Sequence, residues 1–204
     1  ATLEKLLAYY PKKEYWAAYL GRLPRKPGFA DRYALDVMRL KLASGTMTQT
    51  ADFMEMAQLA LQAGYPAEAR KIVERGFATG ALGSGAEAER HKRLRDLALK
   101  QAAESSASIA TRAGEAATAK DGNALVQAGY VYVTMGEADK GIALIEQGLA
   151  KGGLKRPEDA KLLLGMAQLQ SAAAKPKAAA TLRSVQGKDG SADIARLWVL
   201  LGAG

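Results

Sequence analysis

Catalysis needs a nucleophile, a base or a metal ligand brought together with partners, and this 204-residue chain offers few candidates. It has no cysteine, which removes disulfides, thiolate nucleophiles and cysteine–zinc sites at once. The single histidine, His91, stands in RHKRLRD, where charged neighbours on both sides predict a solvated helix face. A metal site or a nucleophilic triad needs converging partners, and one histidine without cysteine does not supply the usual sets. The glycine-rich GALGSG at 80–85 has neither the preceding strand nor the following Lys-Ser/Thr of a phosphate loop, so it reads as a flexible connection. Carboxylate pairs do acid–base work only in a cleft that shifts their pKa, and no spacing of Asp or Glu marks one. No catalytic, cofactor-binding or metal-ligating residue is therefore assigned, and the chain is expected not to be an enzyme; an enzyme subunit remains an alternative.

Binding chemistry is better represented. The N-terminal quarter interleaves Tyr9, Tyr10, Tyr15, Trp16, Tyr19, Phe29 and Tyr33 with Lys12, Lys13, Arg22, Arg25 and Lys26. Aromatics among cations can stack bases and hold phosphates. The plainer account is that large rings fill a helical hairpin. Net charge is +8, unevenly spread: residues 1–50 and 151–204 each carry nine Lys/Arg against four Asp/Glu, whereas 101–150 carry three against six. A nucleic-acid or anionic-polymer binder using the basic ends is thus an alternative reading, but the charges alternate in sign along helices as on solvated faces. Nucleic acid is the less expected partner.

The elements that must position any site are helices. Alanine and leucine dominate, strand-like alternation is absent, and the six prolines mostly fall between apolar periodic segments. No apolar run approaches the roughly 20 residues of a membrane span. The chain begins at Ala1 without an initiator methionine, so a trimmed amino terminus and an origin as the C-terminal part of a larger protein are expected.

Two stretches carry the organisation. EMAQLALQAGYPAEARKIVERG at 55–76 and QAGYVYVTMGEADKGIALIEQG at 127–148 share a small residue seven positions before a glycine and a second glycine twelve after it. Extended along the chain, the hinge falls at Gly28, Gly64, Lys100, Gly136 and Ala172, and the small position at Gly21, Ala57, Arg93, Gly129 and Gly165, a period of 36. The small residue lets two helices cross closely. Helices are expected at 3–10, 12–23, 30–43, 50–63, 66–78, 122–135, 137–151, 157–171, 176–185 and 192–201. Pro11 stops the first, Pro24 and Pro27 end the second, Asp121 caps the fourth pair and Ser191 caps the last helix. The third unit fails at both marker positions. There, either a hairpin with Ser105, Ser106 and Ser108 at its hinge or one long bent helix is expected.

These residues resemble the tetratricopeptide repeat, whose helix pairs recur about every 34 residues. The pattern is met by Leu125, Ala128-Gly129, Tyr132, Gly136, Gly141, Ile145 and Gly148, by Phe53, Met56-Ala57, Ala60, Gly64, Ala69, Val73 and Gly76, and by Leu164-Gly165. The resemblance covers about residues 12–187. It departs in its longer period, in Pro24, in Ala172 at a hinge, and in mostly lacking the usual repeat-ending proline. It implies an all-α fold, a right-handed α-α superhelix forming one domain over 1–204. Units fall at about 12–47, 48–83, 84–119, 120–155 and 156–190, with 191–203 as a capping helix that carries Trp198. The chain is also similar to bacterial exported proteins built of such repeats, which implies a periplasmic or otherwise exported location, with the cytoplasm left open.

The resemblance further implies a trough lined by the first helix of each pair, offered to a protein or peptide partner. That register places Met54, Gln58, Leu61 and Gln62, then Val126, Tyr130, Val133 and Thr134, then Leu162, Met166, Leu169 and Gln170 on the concave face. Tyr130 and Met166 are expected to form an exposed apolar strip, with packing between turns of the superhelix as the competing account. The lysine and asparagines with which some relatives grip a peptide carboxylate are replaced here by Met54 and Gln58, Val126 and Tyr130, and Leu162 and Met166.

Overall fold

The computed structural model describes residues 2–9 and 12–202. Tyr10 and the expected stop at Pro11 lie outside them. Among the described residues the regular structure is all helical: α1 (Thr2–Tyr9), α2 (Lys13–Arg22), α3 (Ala34–Ala43), α4 (Thr50–Gln62), α5 (Pro66–Ala78), α6 (Ala88–Thr118), α7 (Asn123–Thr134), α8 (Ala138–Lys151), α9 (Pro157–Leu169), α10 (Lys175–Arg183) and α11 (Ser191–Gly202). Short 3-10 turns at Leu23–Arg25 and Asp31–Tyr33 flank the loop before α3. Pro24 therefore sits in a tighter turn that continues α2. Each helix packs on its neighbours in sequence.

Local chemistry sets most boundaries. Pro66 and Pro157 open α5 and α9, where a missing amide costs nothing. Asp121 Oδ1 accepts from the amide of Asn123 at the start of α7. At α11 that part belongs to Asp189, whose Oδ1 accepts from Ser191 N and Ser191 Oγ, so the expected cap at Ser191 is corrected to the aspartate two residues earlier. Gly64 and Gly136 turn their hairpins at φ +80° and +94°, a region closed to most side chains. Ala172 has no such backbone. Ser171 replaces it by accepting the amide of Ala174 on its Oγ.

The third unit is not a hairpin. Residues 88–118 form one helix of 31 residues, with Lys100 in its interior and Arg93 exposed. Nothing between 86 and 113 breaks a helix, and His91, Leu94, Ala98, Ala102, Ser105 and Ile109 form one buried stripe at three- and four-residue spacing. His91 is thus a correction: it is 4% exposed, and its Nδ1 accepts a hydrogen bond from Gly83 N at 3.1 Å. That bond, the buried Leu82 and a bond from Thr50 Oγ1 to Ala81 O pin the 80–85 loop that was expected to be a flexible connection.

Close crossing is most pronounced between α7 and α8. A Cβ on Gly129 would lie 2.6 Å from Gly141 O, and one on Gly141 would lie 2.4 Å from Gly129 O. Gly122 and Gly148 meet in the same way one step along. Gly165 instead faces the Leu182 side chain, and Gly21 has nothing within 4 Å, so the spacing role expected there is absent.

The ends of the chain meet. α11 packs on α3 as well as on α9 and α10. Lys26 Nζ pairs with Asp193 at 2.7 Å, Arg196 Nε with Glu4 at 2.9 Å, and Arg32 with both Asp159 and Asp189. Ala30 N donates to Asp189 O, and Phe29 packs so closely on Gly190 that no Cβ would fit. The last helix therefore does more than cover an end: it joins the C-terminal helices to the N-terminal ones, so the succession α3 to α11 closes on itself.

Candidate functional site

α3, α5 and α7 meet around one buried guanidinium. Arg39 on α3 donates through Nε and Nη2 to both oxygens of Glu68 on α5, at 2.8 and 2.7 Å, and through Nη1 to Asp36 at 2.8 Å. Its Cζ lies 5.3 Å from the ring centre of Tyr65 and 4.9 Å from that of Tyr130. The two rings meet edge to face at 5.2 Å. Fork geometry, aromatic faces and two carboxylates are what a buried arginine requires. Burial pushes the Asp36 carboxyl up against the pull of Arg39; burial opposes the charge on Arg39, yet Glu68 and its other partners hold that charge in place. Burial likewise pushes the phenols of Tyr65 and Tyr130 up. Tyr65 Oη donates to Gln127 Oε1, which ties α5 to α7 once more.

Tyr130 is 3% exposed and Met166 is buried, so the exposed strip expected from them is corrected. The cause is the guanidinium of Arg39, which covers Tyr130 from α3. Met54, Val126, Val133, Thr134 and Leu162 are buried too; Leu61 and Leu169 are half-buried; Gln58, Gln62 and Gln170 are exposed.

Above the Arg39 layer lies a cavity of about 620 Å³. It gathers five of the twelve expected residues, Tyr130, Thr134, Met166, Leu169 and Gln170, and none of the four from the second unit. The second unit contributes Met56 and, from its second helix, Glu68, Lys71, Ile72 and Arg75. α3 adds Arg39 and Leu42, and α11 adds Trp198. The meeting of the α3 and α11 contributions is a product of closure, for which the repeat register carries no signal. Arg39, Met56, Ile72, Tyr130 and Met166 are buried, Leu42, Leu169 and Trp198 are half-buried, and Lys71, Arg75 and Gln170 are exposed. Leu162 faces a second, smaller cavity of about 210 Å³ with Arg32, Asp159 and Gln127.

Both carboxylates of the buried cluster are engaged by Arg39, and no group of three or more His, Asp or Glu suited to a metal ion occurs among the described residues. Among the same residues no helix is long and apolar enough to cross a membrane. Among the described N-terminal aromatics, Trp16 and Tyr33 are buried, Tyr15, Tyr19 and Phe29 pack against the core, and Tyr9 is exposed at 78%, so these six present no shared stacking face. Fold and site thus define an all-helical chain of consecutively packed helices around a mixed polar and apolar cavity. In comparisons with family models, curated proteins and solved structures, the chain matches none.

Proposed function

We propose that this chain is a non-catalytic interaction module of the tetratricopeptide type, and that it holds a polypeptide partner by an apolar side chain inserted into the central cavity. One observation carries the reading: Met56, Ile72, Tyr130, Met166, Leu169 and Trp198, from five helices, line a single space of about 620 Å³. That volume and this mix of aromatic, thioether and aliphatic walls with a few polar groups are typical of ligand pockets. Methionine adapts to irregular shapes, and aromatic rings supply rigid area. The helical hairpins α4–α5 and α7–α8, with their spaced glycines, support the repeat assignment.

The test is a peptide-display selection on the whole chain, followed by titration of the selected peptides against a Leu169→Trp variant. Leu169 is half-buried at the cavity wall, so a larger ring fills the space without entering the core. The expected outcome is a loss of binding of about tenfold or more with melting unchanged. Undiminished binding to the variant would place the partner elsewhere on the surface.

A further inference from the structure

Resting on the reading of the cavity as a peptide site, we propose that the partner segment carries an acidic side chain beside its apolar anchor. The rim of the cavity has two cations and an amide, and Glu68, the acid among its lining residues, is already paired. Lys71 and Arg75 stand one turn apart on α5, exposed, with Gln170 from α9 among the other lining groups. Glu68 is bound by Arg39 through both oxygens, and Glu74 is paired with Arg70. Lys71 Nζ donates to Thr134 O, a backbone carbonyl at the end of α7, which fixes the ammonium at the rim without neutralising it. The Arg75 guanidinium has no ion pair among the described residues, while the Arg75 carbonyl accepts from Thr79. A planar guanidinium left open beside a fixed ammonium is complementary to a carboxylate.

The floor argues for a peptide over a plain alkyl carboxylate. It contains Arg39 and Glu68 beside Tyr130 and Met166. An alkyl chain laid on that ion pair would take water from it and return no hydrogen bond. A peptide brings amides and carbonyls along its whole length, so it can meet the pair while its side chain takes the apolar wall.

The experiment uses hexapeptide pools blocked at both ends, each with a central pair of large apolar residues flanked by two Glu, two Gln or two Lys, titrated calorimetrically into the whole chain. Decanoate serves as the alkyl carboxylate. The Glu pool is expected to bind about tenfold tighter than the Gln pool at low salt, with the Lys pool weakest. In Arg75→Gln that preference is expected to shrink to about threefold or less, with unchanged helicity. Equal binding of the Glu and Gln pools would overturn the acidic partner and leave the peptide site standing. Binding of decanoate with none of the three pools would overturn both readings in favour of a small amphiphile, and no binding of any probe would overturn both outright.

Discussion

Four glycines bring α7 and α8 to backbone contact, and their side of the molecule is where a single methyl group matters most. A Cβ on Gly129 meets the carbonyl of Gly141 and the backbone nitrogen of Ile145, atoms that cannot swing aside as a side-chain end can. Gly129→Ala is therefore expected to destabilise by about 1–3 kcal/mol, the usual range for overpacking. Gly21→Ala should go the other way, by up to about 1 kcal/mol, because α2 gains helix propensity and nothing lies within 4 Å. Thermal melts of the two variants check this, and shifts of the same sign would show that the crossing is not set by these glycines. The importance of Gly129 is legible in the sequence, since a glycine at fixed distance before a hinge has a mechanical meaning. The surroundings of His91 and Tyr130 are not legible. The neighbours of His91 in the chain are charged, but its partner is the backbone amide of Gly83, which no composition reveals. Tyr130 sits where an open trough would expose it, and Arg39, far away in the chain, covers it.

Helix boundaries follow their punctuation, which is why Pro66–Ala78 begins where the sequence places it and why α6 runs on past the expected hinge. Between 86 and 113 there is neither glycine nor proline, and a fixed register alone placed a hinge at Lys100. Helix propensity prevails there: the backbone runs on, and Ser108 Oγ returns to Glu104 O within the helix instead of opening a turn. The buried stripe passes through Ala98, Ala102 and Ser105 without a break. Hydrogen exchange at the amides of 99–106 is expected to be as slow as in the flanking turns of α6. Fast exchange confined to that stretch would restore the hairpin. Lys100→Gly should cost about 1 kcal/mol, the penalty of glycine inside a helix, whereas glycine at a true hinge would be neutral or stabilising.

At the scale of the whole molecule, the contact between the two ends holds two walls of the cavity, α3 and α11, against each other. It joins residues 4–33 to 159–196 through groups that are half in water: the side chains of Arg32, Asp159 and Asp189 are 30%, 25% and 39% exposed. Pairs of this kind contribute about 0–1 kcal/mol each and are screened by salt, so the seam is expected to be the weakest joint of the closed succession. Its acid response has a defined sign. Asp189, although partly desolvated, is held down from 3.8 to about 2 by hydrogen bonds from Arg32 and Ser191. A carboxyl with a depressed pKa adds stability above its unfolded value, and that contribution is lost as pH falls from about 4 to about 2. Asp36 in the central cluster responds oppositely, because burial pushes its carboxyl up and protonation relieves a desolvated charge. Acid is therefore expected to part the ends before it disturbs the helices. The chain has no cysteine, so Arg25→Cys and Lys188→Cys give a unique pair of labelling sites across the seam. Energy transfer between dyes there should be high at pH 7, and should fall between about pH 4 and 2 while far-ultraviolet helicity persists. Arg32→Ala should lower the transfer at pH 7 and flatten its dependence on salt. The Phe29–Gly190 contact opposes parting, and if it prevails the transfer will stay level until helicity itself collapses, in which case the ends are one cooperative unit with the core and the seam has no separate opening.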